Sequence, residues 1–289
     1  MPVYNAALFL DRAIQSALDQ PQVVELIAID DASTDGSERI LSAWAEKSDR
    51  VIYLPVLSKE PQRAAAARNR GLAVATAPFI AFLDADDYYL PGRFTRTEAY
   101  FKAHPEVEGL VEPVEVVYEG NEIVQIQKYP TYSCRLNMNT WSHLSYDDLI
   151  APGLQMNGLT VKSFVFDSRK WFDDTFFQLE DLNMVRHLLF QKSIIHILGC
   201  KALPVATYVH HSSNTTYRSE EKQNYSAHIE SYWIEKMGKN SANRKHRLRL
   251  FYRYVIFKYQ TASWARWKKL ILYPFLFLFE GVKKKKYLK

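Results

Sequence analysis

Cysteine and glycine are scarce in this chain, and it has no long hydrophobic run. Cys134 and Cys200 are the only cysteines and form no Cys-x-x-Cys pair, which excludes a zinc cage and a disulfide framework and predicts reduced thiols in a cytoplasmic protein. With 10 glycines and 12 prolines, a collagen-like fibre is excluded. The opening residues, 1–5, carry no basic stretch followed by an apolar one, so no signal peptide is predicted.

The charge that is present is unevenly distributed. A length of 289 residues, of which 47% are hydrophobic, suffices for one large domain or two modest ones and excludes a disordered chain. Residues 1–217 carry a net charge of −8, whereas residues 218–289 carry +13. An acidic body followed by a basic, aromatic tail indicates two tasks, chemistry in the first part and attachment to an anionic surface in the second.

The first hundred residues alternate between helix and strand patterns. Apolar residues at helical spacing follow Asn5, the predicted N-cap of a first helix. Apolar runs over 23–29, 51–54 and 79–83 predict strands, and the intervening patterns predict helices up to about Lys47 and over 64–75. This alternation predicts a mainly parallel sheet with right-handed crossovers, whose ligands bind at the carboxyl ends of the strands.

Two acidic clusters, Asp30-Asp31 and Asp84-Ala85-Asp86-Asp87, directly follow predicted strands. Carboxylates at this edge of a sheet can accept hydrogen bonds from a ribose or a base. They can also hold Mg²⁺ or Mn²⁺, which usually takes one or two carboxylates and completes its shell with substrate phosphates and water. The alternative is a solvated acidic turn whose aspartates cap the next helix.

The start of the sheet is unusual. A nucleotide-binding sheet normally opens with a complete buried strand, whereas Pro2 directly follows Met1 here. A strand of ordinary length would have about five to eight further residues before Met1, and we expect such a strand upstream.

Several segments occur in an order that is typical of one family. The segments are Pro2-Val3-Tyr4-Asn5, 29–37, Ala67-Arg68-Asn69-Arg70-Gly71, 82–87, 171–176, Leu179-Glu180-Asp181 and 208–211. Together they resemble the family-2 glycosyltransferases with the GT-A fold. The resemblance implies an α/β catalytic domain over 1–216, in which helices flank a Rossmann-like mixed sheet that binds a nucleotide sugar. Residues 217–289 would form a basic, aromatic, helical extension.

The resemblance implies nucleotide-binding roles for the residues that match. Pro2, Val3 and Tyr4 would line the base pocket. Asp31 would accept a hydrogen bond from the base, most often uracil in this family. Arg68 would lie close to the nucleotide, with Arg63 as the alternative candidate.

The resemblance also implies a metal site. Asp84 would contact the ribose, and Asp86 would bind the Mg²⁺ or Mn²⁺ that bridges the diphosphate. Asp87 could be a second ligand, but we expect it to cap a helix. In the pair His210-His211, His211 is the candidate for metal binding, and the alternative is a pair of surface histidines in a loop.

Glu180-Asp181 is the second acidic cluster with implied chemistry. The family mostly inverts the anomeric centre by direct displacement, which requires a carboxylate to take the proton of the attacking hydroxyl. A metal, rather than a second acid, would assist the departure of the nucleoside diphosphate. Asp181 is the candidate base and Glu180 the fallback; alternatively, both acids occupy the first turn of a helix over 181–191 and favour its dipole.

Acceptor recognition is expected between about 110 and 165, where the resemblance is weakest. Polar and aromatic residues there could form a surface for a sugar: Glu112, Glu115, Tyr118, Trp141, His143, Asp147 and Asp148. Trp141 could stack on a sugar ring or belong to the core or a lid.

The basic tail predicts attachment to a membrane surface. The apolar run over 270–279, interrupted by Pro274, is too short to span a bilayer, which needs about 20 residues. An interfacial helix with tryptophans at headgroup depth and lysines on anionic phosphates fits better. The alternatives are a helix that packs on the catalytic domain or on a partner, and a site for single-stranded nucleic acid, which we do not expect.

These patterns predict an enzyme. It would transfer a sugar from a UDP-sugar to a saccharide or lipid-linked acceptor in cell-surface polysaccharide or glycolipid synthesis. It would act in the cytoplasm, on the inner face of the membrane. The competing hypotheses are a nucleotidyltransferase, for which a Gly-rich phosphate loop near the start is missing, and a degenerate transferase that serves as a binding subunit.

Overall fold

A computed structural model describes residues 1–118, 124–126, 134–136, 155–166, 171–174, 180–190, 194–198 and 202–211. The chain divides into two units, 1–217 and 218–289, and the second unit lies outside the described residues. The predictions for the basic tail and for Trp141, His143, Asp147 and Asp148 also lie outside them.

The first part of the chain alternates strands and helices, as its hydrophobic pattern predicts. Its elements are β1 (Pro2–Val3), α1 (Leu10–Leu18), β2 (Leu26–Asp30), α2 (Ser37–Lys47), β3 (Val51–Leu54), α3 (Arg63–Val74) and β4 (Phe79–Ala81). Strands β1, β2 and β3 form a parallel sheet with β2 in the middle.

The remaining elements build two mixed sheets. They are β5 (Tyr88–Tyr89), α4 (Thr95–Ala103), β6 (Gly109–Val111), β7 (Val114–Tyr118), β8 (Val124–Ile126), β9 (Cys134–Leu136), β10 (Leu159–Lys162), α5 (Glu180–Phe190), β11 (Ile195–Ile197) and β12 (Ala206–His210). The strand orders are β4-β10-β6-β11-β9 and β5-β12-β7-β8. The mixed α/β architecture is confirmed. Mainly parallel pairing holds for the first sheet, whereas β10 and β12 enter the other two antiparallel to β4 and β5.

The core explains why α1 forms where it does. Its buried residues lie on one stripe at helical spacing: Leu10, Ala13, Ile14, Ala17 and Leu18. Leu10, Ile14, Ala17 and Leu18 pack with Val3, Ala28 and Leu41 in one hydrophobic cluster. The predicted cap is wrong, because α1 begins at Leu10 and the side chain of Asn5 accepts a hydrogen bond from the Thr34 N–H at 2.7 Å instead.

A cleft of about 580 Å³ lies between the edges of β2 and β4. β1 pairs only with Ile29 and Asp30 of β2, so the first half of β2 has no partner from β1. The upstream strand expected from the sequence stays a prediction.

The topology places the acidic clusters as expected. Asp30 ends β2 and Asp31 follows it, while Asp84 comes three residues after the end of β4. None of the helices within the described ranges is long and apolar enough to cross a membrane.

Candidate active site

Arg68 connects the acidic loop at Asp84 with the acidic pair at the start of α5. It lies on α3 and is 7% exposed. Its Nη2 donates to Asp84 Oδ1 at 2.7 Å and its Nη1 donates to Glu180 Oε1 at 2.6 Å. The structure therefore brings together three residues that are separated by up to 112 positions in the chain.

The guanidinium of Arg68 stays positively charged although it is buried. Burial alone would lower the pKa of the guanidinium, but the carboxylates of Asp84, Glu180 and Asp181 outweigh it, so the pKa is raised. Nε of Arg68 is buried and has no hydrogen-bond acceptor among the described residues. A buried cation with an unused donor is suited to an anionic ligand.

Asp86 and His211 form the second feature of the site. His211 Nε2 lies 3.0 Å from Asp86 Oδ2, and the imidazole stacks on Phe9 with ring centroids 4.7 Å apart. His211 is 6% exposed, which differs from a surface histidine in a loop. Burial and the nearby charge of Asp84 raise the pKa of Asp86, although the hydrogen bond from His211 opposes the shift.

Asp87 has a structural role that differs from the predicted helix cap. It is fully buried and precedes β5 rather than a helix. Its Oδ1 accepts a hydrogen bond from the Val209 N–H at 2.7 Å, and its Oδ2 accepts one from Asn157 Nδ2. Burial and the charges of Asp86 and Asp84 raise its pKa well above the usual range. Asp87 thus fixes the loop after β4 to β12, which ends at His210, directly before His211.

Asn157 holds the same loop from the opposite side, and sequence reasoning missed it. Its Oδ1 accepts the Asp84 N–H at 3.0 Å while its Nδ2 donates to Asp87. The backbone carbonyl of Asn157 accepts a hydrogen bond from Nε of Arg93. Nη1 of Arg93 forms an ion pair of 2.8 Å with Glu112. A buried polar network therefore supports the backbone between Asp84 and Asp87. The only signal in the sequence is an Asn-Gly pair before a short strand pattern.

The start of α5 presents the two candidate bases. Glu180 and Asp181 occupy its first turn, where acidic side chains favour the helix dipole. Glu180 is the ion-pair partner of Arg68, and Asp181 is near enough to raise the pKa of Arg68. The alternative hypothesis of a merely helix-favouring role leaves this convergence on Arg68 unexplained.

Asn69 was also missed, although the motif around it was recognised. Its Oδ1 accepts the N–H groups of Trp171 and Phe172 at 3.1 and 3.0 Å, and its Nδ2 donates to the Phe172 carbonyl at 2.6 Å. The Phe172 ring lies 5.5 Å from the Arg68 guanidinium. Asn69 therefore fixes the 171–172 segment against the side chain beside it.

Asp31 helps to shape the region predicted to bind the base. Its carboxylate accepts the N–H groups of Gln62, at 2.7 Å, and Arg63, just before and at the start of α3. A carboxylate offers about four acceptor positions, so capacity for one further donor remains. Of the predicted pocket residues, Pro2 is half-buried, the side chain of Val3 is buried in the core and Tyr4 is 53% exposed.

The acceptor-surface predictions turn out differently for each described residue. The prediction that Glu112 lies on the acceptor surface is wrong, because Glu112 is fully buried and paired with Arg93 and Arg96. Glu115 accepts a hydrogen bond from Thr207 Oγ1 at 2.8 Å, and Tyr118 stacks on His210 at 4.8 Å between centroids.

The metal-ligating atoms of the site determine whether it suits a divalent cation. Asp86 Oδ2 and His211 Nε2 are adjacent, whereas no group of three histidine, cysteine or acidic side chains converges in the part of the chain described. Mg²⁺ and Mn²⁺ commonly use one or two protein ligands and fill their shell with phosphate oxygens and water. The residues therefore fit a cation that is bound together with a phosphate-bearing substrate.

Comparisons with known proteins identify the family of the chain. The profile of Glycosyl transferase family 2 matches residues 1–152. An uncharacterized glycosyltransferase of Haemophilus influenzae is 46% identical over 90 residues, 30% of this chain and 35% of the relative. The succinoglycan biosynthesis protein ExoU of Rhizobium meliloti is 43% identical over 89 residues, 31% of this chain and 25% of the relative. The chain thus matches about a third or less of the length of these relatives.

Solved structures share the fold. Residues 1–349 of Staphylococcus aureus TarS in complex with UDP superpose with a TM-score of 0.63 at 16% identity, over 98% of this chain and 74% of TarS 1–349. The complex with UDP-GlcNAc gives a TM-score of 0.66 at 15% identity, over 91% and 73%. The predicted GT-A fold is confirmed. Since the family profile covers more than half of the sequence, the chain belongs to glycosyl transferase family 2.

Proposed function

We propose that this protein is an inverting, metal-dependent glycosyltransferase that moves a sugar from a UDP-sugar to a saccharide or lipid-linked acceptor. The observation that carries the proposal is the bridge of Arg68 between Asp84, in the loop after β4, and Glu180, at the start of α5. The bridge joins the edge of the sheet where the nucleotide would bind to Glu180 and Asp181, which are suited to proton transfer. The TarS structures were solved in complex with UDP and UDP-GlcNAc, which supports the choice of donor.

The nucleotide would bind at the carboxyl ends of β1 and β2. Asp31 would accept the imide N–H of uracil, which is a donor that cytosine lacks at that position. The exposed ring of Tyr4 and the exposed Val56 and Leu57 offer apolar surface for the base. Asp84, whose side chain is 30% exposed, would accept a hydrogen bond from a ribose hydroxyl.

The diphosphate would need a positive partner beside the acidic loop. Asp84 and Asp86 would repel its oxygens, since like charges at short range are unfavourable. Asp86, with His211 beside it, would hold Mg²⁺ or Mn²⁺, which when bound neutralises the charge that develops on the departing diphosphate. Arg68 adds a fixed positive charge from the buried side.

Transfer would proceed by a single displacement. The acceptor hydroxyl oxygen forms a bond to the anomeric carbon as the bond from that carbon to the diphosphate oxygen breaks. Asp181 takes the hydroxyl proton, and the bonding electrons leave with UDP. We assign Asp181 rather than Glu180, because protonation of Glu180 would sacrifice its ion pair with the buried Arg68.

The process that we propose is the synthesis of a cell-surface polysaccharide or glycolipid. Two relatives support it: the succinoglycan biosynthesis protein ExoU, and the minor teichoic acid biosynthesis protein GgaB of Bacillus subtilis, which is 35% identical over 108 residues. The protein would act on the cytoplasmic face of the membrane, bound to anionic lipid through residues 217–289.

The decisive experiment is a calorimetric titration of the full chain with UDP, with and without Mn²⁺, and with GDP and CDP as controls. Binding of UDP that requires Mn²⁺, with GDP and CDP at least about tenfold weaker, supports the proposal and justifies a screen of UDP-sugars. A folded sample that binds no nucleotide would overturn it in favour of a degenerate binding subunit.

A further inference from the structure

The start of α1 contacts both Asp86 and His211, the two residues that would hold the cation. The ring of Phe9, directly before α1, stacks on the imidazole of His211 with centroids 4.7 Å apart and planes inclined by 23°. Arg12, three positions later, donates from Nη2 to the backbone carbonyl of Asp86 at 3.1 Å. Side chains three positions apart are neighbours on a helix surface. One side of this helix start therefore reaches both halves of the candidate metal site.

The stack on Phe9 limits how the imidazole of His211 can turn. Rotation of a histidine ring about χ2 has only broad preferences, so packing must select one orientation. Here Nε2 of His211 lies 3.0 Å from Asp86 Oδ2 while the face of the ring lies against Phe9. Two flat rings hold each other in an offset stack, whereas a branched aliphatic side chain would leave the imidazole freer to turn. Phe9 thus keeps a ring nitrogen beside the carboxylate of Asp86.

Arg12 acts on the loop that carries Asp86. Its guanidinium lies 4.4 Å from the centroid of the Tyr88 ring and also binds the Asp86 carbonyl. Between these two positions, the carboxylate of Asp87 accepts the Val209 N–H at 2.7 Å. The backbone of Asp86 is therefore held from the side of α1 as well as from the side of β12.

The backbone on each side of Phe9 is itself fixed. Three successive N–H groups, at 5–7, donate to side chains in the loop after β2: Ser33, Ser37 and Asp35, at 3.0, 3.1 and 2.8 Å. After Phe9, the side chains of Leu10 and Ile14 are fully buried in the core. Phe9 and Arg12 therefore extend from a rigid support, which a side chain needs if it is to orient another one.

We propose that the start of α1 is a positioning element of the candidate metal site, in which Phe9 orients His211 and Arg12 fixes the backbone of Asp86. The inference rests on the proposed function, because it concerns the same cation site. Phe9 offers no ligand atom and Arg12 is positively charged, so both act through the residues that they contact. Loss of a side chain that orients a metal ligand typically lowers metal affinity by about 10- to 100-fold.

The test measures Mn²⁺ binding to the full chain at a fixed, saturating concentration of UDP, from the electron paramagnetic resonance signal of free Mn²⁺. Phe9→Leu keeps an apolar side chain but removes the flat face, so the half-saturating Mn²⁺ concentration should rise at least about tenfold. Phe9→Tyr keeps the face and should stay within about twofold of the unaltered protein.

Phe101→Leu is the matched control for Phe9→Leu. Phe101 packs on Phe79, with centroids 5.0 Å apart, and belongs to a separate hydrophobic cluster. The same substitution there should destabilise the protein and yet leave Mn²⁺ binding within about twofold. An equal loss of Mn²⁺ binding in Phe101→Leu and Phe9→Leu would overturn the proposal, because general destabilisation would then explain both.

Arg12→Met separates positioning from electrostatics by the sign of its effect. Removal of a positive charge near a bound cation would by itself tighten Mn²⁺ binding. Loss of the hydrogen bond to the Asp86 carbonyl should instead weaken it, by at least about threefold. Arg39→Met makes the same change in charge at an exposed position of α2 and should have no effect. Unchanged or tighter binding by Arg12→Met would overturn the role of Arg12.

Failure of this inference differs from failure of the proposed function. If the unaltered protein and Phe9→Leu bound Mn²⁺ equally well in the presence of UDP, the positioning role of Phe9 would be overturned and the cation site would stand. If the unaltered protein bound no Mn²⁺ in the presence of UDP, the metal-dependent function would be overturned, and the positioning role with it.

Discussion

Arg68 places one buried positive charge between Asp84 and Glu180, and the planar fork of its guanidinium reaches both. A lysine ammonium at this position has a single point of charge and would reach one partner at most. Arg68→Lys should therefore lower the free energy of unfolding by about 2 kcal/mol and weaken UDP binding at least about tenfold. Denaturant unfolding and calorimetry measure the two effects.

The neighbouring arginine provides the control. Arg70 lies two positions along α3, is partly exposed and donates to the Pro55 carbonyl at 2.6 Å. Arg70→Lys should leave stability within about 0.5 kcal/mol. Equal effects of the two substitutions would contradict a special role for the Arg68 bridge.

Asp86 is the residue at which metal dependence should be decided. Asp86→Ala removes the carboxylate next to His211 and should abolish the increase in UDP affinity that Mn²⁺ produces. Asp19→Ala is the control, because Asp19 is exposed on the surface after α1. If Asp86→Ala still bound UDP more tightly with Mn²⁺ than without it, the cation would have other ligands.

The two acids at the start of α5 should differ in their kinetics. Asp181→Asn keeps the size of the side chain but removes its basicity, so UDP binding should stay within about twofold while kcat falls by about 10² to 10⁴. Glu180→Gln should instead weaken UDP binding, since Arg68 loses one of its carboxylate partners. Full transfer by Asp181→Asn would make Glu180 the base.

At the scale of elements, the loop between β4 and β5 depends on a distant asparagine. Asn157→Leu removes both side-chain hydrogen bonds and leaves one oxygen of Asp87 buried without its donor. We expect a loss of about 3 kcal/mol in the free energy of unfolding and a lower affinity for UDP, because Asp84 and Asp86 lose their support. Leu159→Ala, also in the core, should destabilise similarly without the specific loss of UDP affinity when both are compared below their Tm.

The elements themselves could be predicted because they depend on local patterns. The apolar runs and the helical spacing locate β3, ending at Leu54, and α2, ending at Lys47, without any knowledge of the fold. The prediction that Asn5 caps α1 is wrong, since its side chain accepts a hydrogen bond from Thr34, which lies 29 positions away. A side chain with both local and distant partners available follows the tertiary contact.

The site could be predicted only in part for the same reason. Motifs locate Asp86, Arg68 and Asp181, but Asn157 reaches Asp87 across 70 positions and Asn69 reaches Phe172 across 103. Glu112 shows the opposite error, since this acidic residue was expected on a surface but is buried and paired with Arg93. Pairing across such distances is set by sheet topology, which the mixed second and third sheets make hard to infer.

At the scale of the whole molecule, the acidic body and the basic tail predict a division of labour. Residues 218–289 carry a net charge of +13, and four consecutive lysines lie near the end, at 283–286. Each lysine near an anionic surface contributes about 1 kcal/mol, and the attraction weakens within a Debye length of about 10 Å at 0.1 M salt. The body, with a net charge of −8, would be repelled by the same surface.

Flotation with liposomes tests this arrangement in the full chain. We expect binding to vesicles that contain anionic lipid, loss of binding at high salt, and no binding to zwitterionic vesicles. A variant with Lys283→Gln, Lys284→Gln, Lys285→Gln and Lys286→Gln should bind at least about 100-fold more weakly. The control makes the same change in net charge on exposed residues of the body, with Arg39→Gln, Lys47→Gln, Lys59→Gln and Lys102→Gln. If both variants lost binding equally, the net charge of the protein rather than the position of the lysines would govern attachment. Binding by either variant that does not change with salt would indicate that the apolar residues at 270–279 dominate.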